Sequence, residues 1–98
     1  MEYQLRTYRV KPGATDEFLF IWREDLRPLR ERHGFEVVGE FFNEEEREFV
    51  FLVGYAGPEG YAAAEEAYYD SPDRHTVGRD PGPLVEATEL RLLRPVHT

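Results

Sequence analysis

Few side chains in this 98-residue chain are equipped for chemistry, and they fall into two groups. Arg6 and Tyr8 sit two residues apart in an alternating segment, so an extended strand places both on one face. A guanidinium there can hold a carboxylate through two parallel hydrogen bonds, and the phenol beside it can donate or accept one more. The structural alternative is an ion pair from Arg6 to Glu40 or Glu89 on a neighbouring strand. Tyr55 closes a later strand in the phase of Phe51 and Val53. Phe51 and Tyr55 therefore join Arg6 and Tyr8 as candidate ligand contacts, with core filling as the plainer role for Tyr55. The second group surrounds His75, the only histidine of three away from a helix end or chain terminus. In a loop roofing a cavity, a near-neutral imidazole suits a general base, and Tyr55 is a second candidate for proton abstraction. Solvent exposure is the plainer reading of His75. Asp70, Asp73 and His75 supply one imidazole and two carboxylates, which is too weak a set to assign a metal site. Gly54, Gly57 and Gly60 do not make a dinucleotide fingerprint, because no parallel crossover surrounds them. No cofactor is called for.

Composition narrows the partners. The chain carries a net charge of −8, which disfavours nucleic acid and anionic membrane surfaces alike. It contains no cysteine, hence no disulfide, thiol nucleophile or thiolate metal site. A hydrophobic fraction of 41% with 14% aromatic residues argues for one folded domain over residues 1–98. Without a signal-like or membrane-spanning apolar run, the expected location is the cytoplasm.

The elements that must position these groups are readable in order. Glu2 to Val10 alternates as a strand and ends at Pro12-Gly13. Thr15 is a candidate cap for a helix whose Phe18, Ile21, Trp22, Leu26 and Leu29 recur at helical spacing. Pro28 removes a hydrogen bond to the carbonyl of Glu24 and predicts a kink, and Gly34 suits the helix end. Phe35 to Phe42 and Glu48 to Tyr55 form a hairpin around the charged tip Asn43 to Arg47. Gly57-Pro58 opens a second helix, with Tyr61, Ala64, Glu65 and Tyr68 on one face and Asp70 at its end. Tyr68-Tyr69 reads as core and dimer packing. Ser71-Pro72-Asp73 starts one further turn of helix, Gly78 to Pro83 is loop, and a last strand runs from about Glu86 to Leu93.

The order strand, helix, strand, strand, helix, strand is the ferredoxin-like βαββαβ arrangement of the α+β class. Right-handed crossovers place both helices on one face of a four-stranded antiparallel sheet. The other face is left bare, yet Glu48 to Tyr55 is apolar on both sides. Four strands present roughly 350 Å² in projection. The largest apolar patch usual on a monomer is about 300–600 Å². A homodimer through the helix-free face follows, with the functional cavity expected between the two copies. If Leu5 faces the helices, Arg6 and Tyr8 point into that barrel.

LRTYRVKPG at Leu5 to Gly13, FLFIWREDLRPLRERHG at Phe18 to Gly34, VVG at Val37 to Gly39, Tyr55, and LLRP at Leu92 to Pro95 together resemble the NIPSNAP family over nearly the whole chain. The resemblance implies a dimeric α+β barrel, in a superfamily that includes cofactor-independent monooxygenases and stress-response proteins. It implies no defined reaction. Three functions follow: binding a small apolar or carboxylate-bearing molecule in the barrel cavity, a cofactor-independent monooxygenase or isomerase, and a non-catalytic assembly protein. The first is favoured, because polar anchors are present while no base–nucleophile pair is evident.

Overall fold

The computed structural model describes residues 1–76 and 80–96. Gly78 and Arg79 of the expected loop lie outside the described residues. Strand β1 (Glu2–Val10) leads into helix α1 (Thr15–Ile21), a single π-turn (Trp22–Leu26) and helix α2 (Arg27–Arg32). The hairpin β2 (Glu36–Asn43) and β3 (Glu48–Tyr55) follows. Helices α3 (Tyr61–Asp70) and α4 (Pro72–Thr76), a short 3₁₀ turn (Gly82–Leu84) and strand β4 (Val85–Leu93) complete the chain. The sheet is antiparallel, in the order β2-β3-β1-β4. This is the ferredoxin-like topology expected from the sequence. Among the described residues, no helix is long and apolar enough to cross a membrane.

Local differences from expectation have local causes. Ala14, not Thr15, occupies the helix-start position, and its side chain offers no cap. At Pro28 the helix adapts before the ring instead of breaking. The Arg27 N–H reaches the carbonyl of Trp22, five residues back, so the π-turn absorbs the backbone change just ahead of Pro28. Gly34 ends α2 at φ 89°. The Phe35 N–H meets the Arg30 carbonyl at 3.1 Å and the Gly34 N–H meets that of Glu31 at 3.1 Å, which together make a Schellman close. The second helix begins at Tyr61, later than Pro58, because Gly60 turns the chain at φ 85°. The Tyr61 N–H is met by the Glu2 carboxylate at 2.8 Å. Ser71 starts α4 by accepting the Arg74 N–H at 3.2 Å.

One core holds the helices to the sheet. Phe18, Ile21, Trp22, Leu26 and Leu29 pack with Tyr61, Ala64 and Tyr68 against Val10, Phe49, Phe51 and Val53. The Trp22 indole sits 4.3 Å from the Phe51 ring and 5.1 Å from that of Phe49, centre to centre. Both helical layers therefore cover the same sheet face. The register of β1 places Gln4, Arg6, Tyr8 and Val10 on that face, while Leu5 pairs with Leu52 on the open one. The condition that Leu5 faces the helices is thus not met: the buried position goes to Arg6. Two bulges adjust the sheet, at Val38 in β2 and at Glu86 in β4. The second re-aims the start of β4, where Val85 to Thr88 border a cavity.

Candidate functional site

A cavity lies between the helices and the sheet of a single chain, a different place from the space between two copies that the sequence suggested. It measures about 440 Å³, within the range of small-molecule pockets. Phe18, Trp22, Leu26 and Phe51 form its apolar wall, and Val85 to Thr88 of the bulged strand form one side. Arg6, Tyr8, Arg30, Tyr68, Tyr69 and Arg74 supply most of its polar lining, and Asp80 and Glu86 add two carboxylates.

Two of these groups are buried cations. Arg6 is 4% exposed and Arg30 is 3% exposed, at the centre of β1 and the end of α2. Both contact one carboxylate oxygen of Glu65, Arg6 Nη1 at 2.9 Å and Arg30 Nη2 at 3.1 Å. The partner of Arg6 is therefore Glu65 on α3, not Glu40 or Glu89. Glu40 instead accepts from Trp22 Nε1 and from Arg27, each at 2.7 Å, and Glu89 pairs with Arg91. Arg6 also donates to Gln4 Oε1 at 2.5 Å, to the Tyr8 hydroxyl at 2.8 Å and to the Tyr69 hydroxyl at 3.0 Å. Arg30 reaches the same Tyr69 oxygen at 3.2 Å. Arg30 Nη1 has no hydrogen-bond partner. Its guanidinium lies over the rings of Tyr68, at 4.5 Å, and Phe35, at 5.0 Å, whose faces take the place of an acceptor.

The electrostatics follow from this arrangement. Burial opposes the charge on Arg6, but Tyr8, Tyr69 and Glu65 outweigh it and raise its pKa, so Arg6 stays a cation. Burial raises the Tyr8 phenol above its ordinary value, a shift the neighbouring Arg6 only partly offsets. Tyr61 is pushed up to about 12, again by burial. Two guanidiniums share one carboxylate, which leaves the cluster with excess positive charge. Glu65 does not line the cavity, whereas both arginines do. The cavity is therefore lined by the guanidiniums of Arg6, Arg30 and Arg74 and, on its β4 side, by the carboxylates of Asp80 and Glu86, the second of which is paired with Arg47.

Of the residues singled out from the sequence, Arg6, Tyr8 and Phe51 come together at this cavity. Tyr55 does not line it. Its ring packs 5.2 Å from that of Phe35 and its hydroxyl donates to Glu59. His75 lies exposed within α4, not in a loop, and is likewise absent from the lining. Among the described residues, no three His, Asp or Glu side chains converge as metal ligands, Asp70, Asp73 and His75 included.

Sequence reasoning passed over Gln4, Arg30, Glu65, Tyr69 and Arg74. Arg30 had a signal. It continues the row Phe18, Trp22, Leu26 at four-residue spacing, so a charge stands on the buried stripe of the helix. Glu65 had the same signal between Tyr61 and Tyr68 on α3. Tyr68 fills the core and also borders the cavity, and Tyr69 borders the cavity without belonging to the core.

Comparison with known proteins agrees with the fold and its extent. The NIPSNAP family model matches residues 3–98. An uncharacterized NIPSNAP domain protein from Burkholderia xenovorans superposes with a TM-score of 0.84 at 23% identity, covering 98% of this chain and 95% of that one. A NIPSNAP family protein with unknown function from Agrobacterium tumefaciens gives 0.83 at 26% identity, covering 97% and 87% respectively. A putative antibiotic biosynthesis monooxygenase from Nitrosomonas europaea gives 0.73 at 13% identity, covering 99% and 100%, a likeness of fold. No curated protein matches the chain.

Proposed function

The chain belongs to the NIPSNAP family, and from that premise we propose that it binds a small aromatic or otherwise apolar acid in the cavity between helices and sheet. The observation that carries this reading is the unequal charge of the buried cluster. Arg6 and Arg30 line the cavity while sharing Glu65, which stands outside it. An anion entering the cavity completes the neutralisation of two desolvated guanidiniums. The aromatic wall accommodates the rest of the molecule by burial of apolar surface.

A catalytic reading has less support. A cofactor-independent oxygenase or isomerase needs a base beside the substrate, and both candidates drawn from the sequence, Tyr55 and His75, stand away from this cavity. The pairing of two copies through the open face belongs to the same proposal. Phe41, Leu5, Val50 and Leu52 supply an apolar surface there that no element among the described residues covers.

Calorimetric titration with 2-naphthoate and with its uncharged methyl ester tests the binding reading. The acid is expected to bind at least tenfold more tightly than the ester, in line with one charge-assisted hydrogen bond of about 1.5–3 kcal/mol. Equal affinity for the two removes the acid-binding function.

A further inference from the structure

Arg6 is held too fully to be the first contact of a ligand. Four hydrogen bonds occupy four of its N–H groups, two from Nη1 to Gln4 and Glu65, one from Nε to Tyr8 and one from Nη2 to Tyr69. Nε and Nη2 form the guanidinium edge that elsewhere grips the two oxygens of a carboxylate. In this protein that edge donates to two phenol oxygens, one on each nitrogen. Tyr8 accepts from Arg6, and Tyr69 accepts from Arg6 and from Arg30. A phenol that accepts through its lone pairs still has one O–H to donate. Among the hydrogen bonds of the described residues, both hydroxyls act as acceptors and neither as a donor. Both side chains line the cavity.

We propose that Tyr8 and Tyr69 form a two-donor clamp for the carboxylate of an aromatic acid, with Arg6 as the residue that positions them. The inference rests on the acid-binding reading and assigns the atoms that make contact. Each phenol donates to one carboxylate oxygen. The cations behind them polarise the O–H bonds, and donors linked in such a chain are stronger than isolated ones. Arg6 and Arg30 thus attract the anion without surrendering Glu65, Gln4 or the phenols. The raised pKa of Tyr8 keeps its proton available at neutral pH. Phe18, Trp22 and Phe51, on the apolar wall of the same cavity, select a flat aromatic body.

The experiment compares 2-naphthoate and its methyl ester on the wild-type chain, Tyr8→Phe, Tyr69→Phe and the double variant. Each single change is expected to weaken the acid about tenfold, and the double change further, while the ester binds as before. Unchanged acid binding in both Phe variants overturns the clamp and leaves the acid-binding function intact. An equal loss for acid and ester overturns it too, because the hydroxyls would then only hold the cavity in shape. A wild-type chain that does not prefer the acid removes the acid site itself, and the clamp with it.

Discussion

The two faces of one sheet have exchanged their usual contents. The covered face buries two arginines, a glutamine and a ring of tyrosine hydroxyls beside its apolar core. The open face exposes Phe41 at 68%, with Leu5, Val50 and Leu52 half-exposed near it. Hydrophobicity alone would sort these residues the other way. The difference teaches that each face answers to a different partner. Buried charge is sustained by the carboxylate of Glu65 and the phenols around it, whereas exposed apolar surface calls for something from outside the chain.

The sharpest way to break this comparison uses two phenylalanines on neighbouring strands. Phe51, 1% exposed, fills the covered face against Trp22, so Phe51→Ala is expected to cost about 3–5 kcal/mol in urea unfolding. Phe41→Asp is expected to leave the near-ultraviolet circular dichroism of the core unchanged while converting a sedimenting dimer into a monomer. A wild-type chain that already sediments as a compact monomer at micromolar concentration removes the pairing of open faces. A Phe51→Ala loss below about 1 kcal/mol would mean that the covered face is not the core.

Within the covered face, the charge cluster is expected to be asymmetric. Glu65→Gln leaves two buried guanidiniums with no carboxylate and is expected to cost about 3 kcal/mol. Arg6→Met preserves the stem and leaves Glu65 paired with Arg30, so the loss is about 1–2 kcal/mol, from polar groups left without their donor. Unfolding curves of the two variants at pH 7 decide it. A larger loss for Arg6→Met than for Glu65→Gln would show that the shared carboxylate is not the keystone of the cluster.

The smallest expected effect is a pH dependence confined to the alkaline side. The Tyr61 phenol titrates near 10.0 when unfolded and near 12 when folded. Between those values the unfolded chain has released a proton that the folded chain retains. The contribution of Tyr61 is therefore complete below about pH 10 and is lost as the pH rises towards 12. Its full size is about 2–3 kcal/mol. Tyr8 and Tyr68, raised by burial as well, steepen the same decline. Thermal melts between pH 8 and 11.5 (at about half-unit steps) should show it, with a shallower fall in Tyr61→Phe. A melting temperature that does not change across this range would place these phenols in solvent.

The sequence alone determined the elements and their order. The bounds of β1 and β3 match their alternating and apolar runs, Gly34 closes α2, and the order of elements with right-handed crossovers yields the four-stranded sheet with helices on one side. These features depend on local propensity and on periods of two and 3.6 residues, which a single chain displays openly. Tertiary structure decided which face of β1 is covered. Leu5 and Arg6 are neighbours, and alternation says only that they point apart. The helices settled the choice, because Arg30 and Glu65 arrive from α2 and α3 with a charge and a counter-charge that make a buried Arg6 tolerable. The same packing formed a candidate site within one chain, between its helices and its sheet. It joined Arg6 and Tyr8 to Tyr69, 63 residues further along than Arg6, and left Tyr55 and His75 outside. Such a site depends on contacts between residues far apart in the chain, and no local period records them.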